Sequence, residues 1–414
     1  MSHDHSRHPR TGAVVVQLRF IEQSIVITEN RSQRKMGSIV YSFASHFHFA
    51  PPILAENGIF TQMARFMQFR SSFQWVCWCS LVLVCLANCR NHTALEPTAD
   101  TVAVILLDST AAASRVVQDR QEGFFEKINA LDMALQLGQP HRCSTSRDSL
   151  IADYRLFLQQ DLLNFTDKEK NRLELLFTET LQLCRAIDPS LFQNDSIGLI
   201  KTRGRYYGDA VYYTREKNIV IPEEELQTAS DATLRRVLLH ELFHIYSRYH
   251  PPQRKSLYEL IGFYPLEQAP EWLGCLDASL LLNPDGIDYH WCIRLKIPSD
   301  TVVRAVPLTF YLRPSQFPRT YFDYLNFQLF ALQEQDGRLY LDAKDEALLR
   351  IPDDFYAQIG TNTDYIIHPD EILADNFALL ALTHSDDFWH RMGKYQGRNR
   401  EILEKMAQIL STRQ

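Results

Sequence analysis

Several familiar signatures are missing from this chain of 414 residues. No two of its 8 cysteines have C-x-x-C spacing, which excludes a zinc ribbon. Its 15 glycines never gather into the loop that cradles phosphate groups. No internal repeat sets up a solenoid or propeller. Basic residues do not predominate: 43 Lys and Arg stand against 50 Asp and Glu, a net charge of −7, so no nucleic acid partner is expected. The apolar run W-V-C-W-C-S-L-V-L-V-C-L-A, Trp75 to Ala87, is too short to span a bilayer comfortably. What is present is a globular composition, 45% hydrophobic and 22% charged, long enough for more than one domain.

The apolar run has a basic stretch before it, M-A-R-F-M-Q-F-R from Met63, and small residues after it. That order describes a secretory signal over residues 63–88. Its exit, Leu86-Ala87-Asn88-Cys89, resembles the lipobox of bacterial lipoproteins, with Asn88 where glycine, alanine or serine is usual. The resemblance implies lipidation of Cys89, a membrane anchor through that lipid, and a periplasmic or outer-membrane location. A plain signal peptide and a membrane anchor are the other readings. Residues 1–62 are read as a non-native upstream extension or a disordered segment, with translation starting at Met63 or Met67. Residues 89–114 are expected to tether a domain covering 115–414, although T-V-A-V-I-L-L within them has the look of a strand.

The densest chemistry lies in H-E-L-F-H-I-Y-S-R-Y-H, His240 to His250. Leu234, Val237, Leu238, Leu242 and Ile245 recur at helical spacing, Ser230 or Asp231 suits the cap, and Pro251-Pro252 suits the end. On a helix over Asp231–Tyr249, His240 and His244 share a face and can grip one metal ion. Glu241 sits beside them as a general base. A hydrolytic zinc site needs a third protein ligand. One candidate is His250, whose spacing resembles the metzincin pattern, with Ser247 where that family has glycine and no methionine between Met133 and Met392 to form its Met-turn. The other is Glu371, in H-P-D-E-I-L-A-D-N-F-A-L-L from His368. Pro369 suits the first position of a helix, and Asp370 and Glu371 its first turn. Glu371 and Asp375 are four apart, so one can bind metal while the other accepts a hydrogen bond from a ligating histidine.

With His240, Glu241 and His244 on one helix and Glu371 and Asp375 on a later one, the chain resembles the gluzincin group of zinc metallopeptidases. That resemblance implies Zn2+ held by His240, His244 and Glu371, Glu241 as catalytic base, Asp375 as the partner of a ligand, and a peptide or protein substrate. It also implies an edge strand above the cleft, for which Asn218 to Pro222 is the candidate. That segment closes a hairpin whose first run is Ala210 to Thr214.

Elsewhere, Val116 to Leu137 and Leu150 to Leu163 read as helices, and Thr166 opens another with a capping-box pattern. Residues 284–345 change to turns and alternating strands, a β-rich insertion between the two ligand-bearing helices. The expected fold class is therefore α+β, a zincin-like domain with an N-terminal helical region and that insertion. Oxyanion donors are sought among Tyr365, His368, Arg313, Tyr321 and Tyr324. Export permits two disulfides, with Cys275–Cys292 and Cys143–Cys184 the favoured pairing. The function expected is zinc-dependent peptide hydrolysis. The alternative is a catalytically inactive metal-binding surface lipoprotein acting in adhesion or assembly.

Overall fold

The computed structural model describes residues 16–21, 24–29, 103–193, 195–205, 211–273, 276–297, 301–313, 320–342, 351–384 and 396–412. The segment 63–88 read as a signal, Cys89 and Cys275 lie outside these. The protein is a mixed α and β structure, compatible with the α+β class. In chain order the strands near the N terminus are β1 (Val16–Ile21), β2 (Ser24–Glu29) and β3 (Ala103–Leu106). Helices α1 (Ser109–Arg115), α2 (Phe124–Lys127), α3 (Ala130–Gln136) and α4 (Arg147–Gln160) follow, then β4 (Leu162–Leu163) and α5 (Asp167–Ile187). Strands β5 (Ser196–Thr202), β6 (Tyr213–Arg215) and β7 (Asn218–Pro222) lead into α6 (Glu223–Thr228), α7 (Asp231–Tyr249) and α8 (Pro251–Leu260). The β-rich region holds β8 (Phe263–Pro265), β9 (Glu271–Leu273), α9 (Leu276–Ser279), β10 (Trp291–Lys296), β11 (Val302–Tyr311), β12 (Leu325–Ala331), β13 (Gln333–Gln335) and β14 (Arg338–Asp342). Helices α10 (Asp353–Ile359), α11 (Pro369–Thr383) and α12 (Arg398–Leu410) end the chain.

One sheet runs β3-β5-β7-β6, with β4 also on β5. Its inner strands β5 and β7 are parallel, with Ile197, Leu199, Ile200, Ile219, Val220 and Ile221 all buried. A second sheet, β2-β1-β12-β11-β10-β8, is antiparallel throughout, and β13-β14-β9 form a small third one. The insertion expected over 284–345 is thus built of strands, between α7 and α11.

Local chemistry explains where elements begin. Thr166 accepts the Glu169 N–H at 3.3 Å, and Glu169 accepts the Thr166 N–H at 2.8 Å, completing the capping box ahead of α5. The helix expected over Val116–Leu137 is broken into pieces. The Asp119 carboxylate takes the backbone N–H groups of Glu122, at 3.1 Å, and Phe124, at 2.7 Å, and Gly123 turns the chain at φ 73°. That local bonding competes with a continuous helix and wins.

Other expectations change too. Ala103–Leu106 pairs in parallel with β5, so the tether assigned to 89–114 overlaps the folded domain. Val16–Ile21 and Ser24–Glu29, within the supposed extension, form a hairpin that adds to β12. Strand β7 lies between β5 and β6, so among the described residues the free edge beside the motif helix is β6 rather than Asn218–Pro222. Cys143, Cys184 and Cys292 are free thiols. The Cys143–Cys184 bridge is not formed because Cys184 faces the core from α5 while Cys143 is exposed on a short 3-10 turn. Burial pushes the Cys184 thiol well above its usual range.

Candidate metal centre

Helix α7 presents the first histidines. Ser230 accepts the Thr233 N–H at 3.1 Å to cap it, and Leu234, Leu238, Leu242 and Ile245 turn into the core. The helix runs unbroken through Ser247 to Tyr249. Helix α11 opens on His368, whose Nδ1 accepts the Asp370 N–H at 3.1 Å, with Pro369 at the first position. The two helices pack directly, Phe243 against Phe377 with ring centroids 5.6 Å apart, both rings fully buried.

That packing brings His240, His244 and Glu371 together, with one ligand atom from each within 4.8 Å of the others. Glu371 Oε2 lies 3.0 Å from His240 Nε2 and 3.4 Å from His244 Nε2. Tetrahedral coordination with bonds near 2.1 Å separates ligand atoms by about 3.4 Å, so this spacing suits a small divalent ion. Behind the histidines, His240 Nδ1 lies 3.1 Å from Asp375 Oδ1 and His244 Nδ1 lies 2.7 Å from Asp370 Oδ2. Each ring is thereby fixed so that Nε2 faces Glu371. Asp370 is held in turn by Ser247 Oγ at 2.5 Å and Tyr258 Oη at 2.7 Å. Asn283 Nδ2 donates to Glu371 Oε1 at 2.7 Å, leaving Oε2 to point at the histidines.

The electrostatics call for a cation. Burial works against charge on His240, yet its bonds to Asp375 and Glu371 lift it to about 10. Burial likewise opposes charge on His244, and Glu371 and Asp285 outweigh it. For Glu371 and Asp375 burial favours the neutral acid, but His244 and His240 hold Glu371, and His240 with Arg236 holds Asp375, below the usual carboxylate range. A divalent ion fits the same ligand set, with its buried carboxylates and aimed imidazoles.

Glu241 is different. It is 3% exposed, and its Oε2 makes no hydrogen bond among the described residues. Burial first, and then the nearby Asp285 carboxylate, push it up to about 8. Glu241 and the three ligand residues line a single cavity of about 270 Å³, together with Val211, Val237, Leu282, Phe322, Leu325 and Ile367. Tyr365 and Tyr321 also line it. Of the oxyanion candidates, His368 is committed to capping α11, and Tyr324 is stacked on Tyr311 at 5.8 Å. The Tyr365 ring stacks on His240 at 6.1 Å, and burial beside Glu371 holds its phenol well above the usual range, so it keeps its proton.

His250 is not in the cluster. Its Nδ1 turns back to the Tyr246 carbonyl at 2.8 Å, and its ring stacks on Tyr246 at 4.3 Å. The reason is the helix itself: α7 has no break at Ser247, which donates to Asp370 instead of releasing the chain. Sequence reasoning missed Asp370 and Asn283. Asp370 could have been found as one of the two acidic residues in the first turn of α11. Asn283 carries no spacing signal, since only the tertiary fold brings it to Glu371.

No family model, curated protein or solved structure matches this chain.

Proposed function

We propose that the protein is a zinc-dependent hydrolase of the zincin-like kind, and that peptide bonds are its substrate. The observation that carries this reading is the buried Glu241 carboxylate, whose Oε2 has no partner among the described residues, in the same cavity as the His240, His244 and Glu371 triangle. A purely structural metal site has no use for such a group, whereas hydrolysis requires a base. When bound, zinc supplies Lewis acidity, which acidifies a water and polarises a carbonyl. Glu241 takes the proton of the attacking water and hands it to the leaving amine. Asp375 and Asp370 keep the Nε2 lone pairs of His240 and His244 forward. Tyr365 donates its hydroxyl to the developing oxyanion. Export and a lipid anchor at Cys89 belong to the same proposal, and loss of lipid labelling in Cys89→Ser tests them.

The test of the chemistry pairs zinc content with hydrolysis of a peptide mixture. Glu241→Gln is expected to retain zinc and fold while hydrolysis falls by roughly 10²–10⁴-fold. If hydrolysis persists in that variant, Glu241 is not the base. If the parent holds zinc and cleaves nothing, the non-catalytic lipoprotein reading takes its place.

A further inference from the structure

Resting on the hydrolase reading, we propose that the cleft is closed at one end by Asp285 and that the enzyme removes residues from the free amino terminus of peptides with apolar leading side chains. The argument starts from the edge of the sheet. An extended peptide adds to an exposed strand through that strand's outward N–H and C=O groups. Among the described residues, β6 is the free edge of the sheet next to α7. Its pairing with β7 sets which groups point outward: the Thr214 N–H leaves the sheet, and Tyr212, two residues earlier, shares that side.

Both outward groups of Thr214 are already taken. Its N–H donates to Asp285 Oδ1 at 2.9 Å, its hydroxyl donates to the same oxygen, and its carbonyl accepts from Arg215 Nη1 at 3.1 Å. Arg215 Nη1 also reaches the Pro284 carbonyl at 3.2 Å, tying the N-P-D-G turn to the strand. An added strand therefore pairs alongside Tyr212 and stops before Thr214.

Charge decides which end of the substrate meets this stop. Asp285 lines the cavity and is 5% exposed. Its bonds from Thr214, and the longer one from Arg248 at 3.4 Å, all fall on Oδ1. Among the described residues none falls on Oδ2. A buried carboxylate oxygen left open to a cavity suits a protonated amine and repels a terminal carboxylate. The amino end accordingly lies at Asp285, which is the antiparallel arrangement on β6. Val211, Val237, Leu282, Phe322, Leu325 and Ile367 surround the remaining space and suit an apolar side chain.

The experiment uses the zinc-loaded chain and one apolar-headed peptide in two forms, with a free and with an acetylated amino terminus, read by mass spectrometry. Release of amino-terminal residues from the free form, about tenfold or more faster than any cleavage of the acetylated form, is the expected result. Asp285→Asn preserves the acceptor for Thr214. It is expected to raise KM for the free peptide, with kcat changed less, and to erase most of the preference. Equal cleavage of both forms at internal bonds overturns the amino-terminal reading and leaves the hydrolase reading intact. Zinc-loaded protein that cleaves neither form overturns both.

Discussion

The α7–α11 pair and the strap Leu280–Gly286 build the same candidate metal centre by opposite means. The helices carry their chemistry in spacing: His240 and His244 four apart, Glu371 and Asp375 four apart. The strap has no period. Its Asn283 fixes Glu371, its Leu282 N–H is held by Asp132 Oδ2 at 2.8 Å, and its Asp285 holds Thr214. Gly286 passes so close to the head of α11 that a Cβ there would sit 2.2 Å from His368 Nδ1. A helix can place a ligand with local geometry alone, whereas a strap does so only when several distant elements agree on its path.

The comparison breaks most sharply on metal retention. Glu371→Ala removes a ligand and is expected to abolish stoichiometric zinc. Asn283→Ala leaves all three candidate ligands, frees the second oxygen of Glu371, and also removes the acceptor of the Asp285 N–H, 3.3 Å from Asn283 Oδ1. Its zinc affinity is expected to fall roughly 10–100-fold, the usual cost of losing a partner behind a ligand. Competition with a zinc chelator measures both. If Asn283→Ala binds zinc like the parent, the strap is a wall of the cavity and not a support for the ligand.

A second difference lies deeper. Asp132, fully buried on α3, anchors the strap, and burial raises its carboxyl to about 6 from its ordinary 3.8, against the bonds from Leu282, Gln136 and Tyr321. A raised carboxyl pKa means the folded state binds the proton more tightly than the unfolded one. The stability this proton contributes is complete below pH about 4 and is lost as pH rises through about 6. Between pH 4 and pH 7 the parent is expected to lose roughly 2 kcal/mol relative to Asp132→Asn. Urea unfolding of the two metal-free proteins at both pH values checks the sign: a gap that does not change with pH means Asp132 titrates at its ordinary value.

How much of this was legible follows the same division. The bounds of α7, the cap at Thr166, the Pro369 start of α11 and the β-rich character of the insertion were all readable, because each is fixed by residues close in sequence. The broken helix over Val116–Leu137 was not, because a single aspartate, Asp119, redirected the backbone where the apolar spacing continued. The hairpin was legible, but which of its strands lies at the edge was not: β5 sits outside β7 only by a long-range pairing. Of the two carboxylates behind the histidines, Asp375 was found by its four-residue offset from Glu371. Asp370 was passed over as a mere dipole partner of the helix.

The smallest expected effect separates the two readings of the third ligand at their point of origin. Ser247 occupies the place where a chain break would be needed to bring His250 to the metal. Here it sits within α7, 1% exposed, and donates to Asp370. Ser247→Gly removes that bond and puts glycine inside a helix, a combined cost of about 1–3 kcal/mol in stability. If glycine were enough to release the chain, His250 would become a ligand and zinc affinity would depend on it. The packing argues otherwise, because His250 is stacked on Tyr246 and bonded to its carbonyl. Ser247→Gly is therefore expected to bind zinc a little more weakly through a looser Asp370, and adding His250→Ala to it should change zinc affinity no further. A further drop in the double variant would show that one side chain, and not the length of the helix, keeps His250 away from the metal.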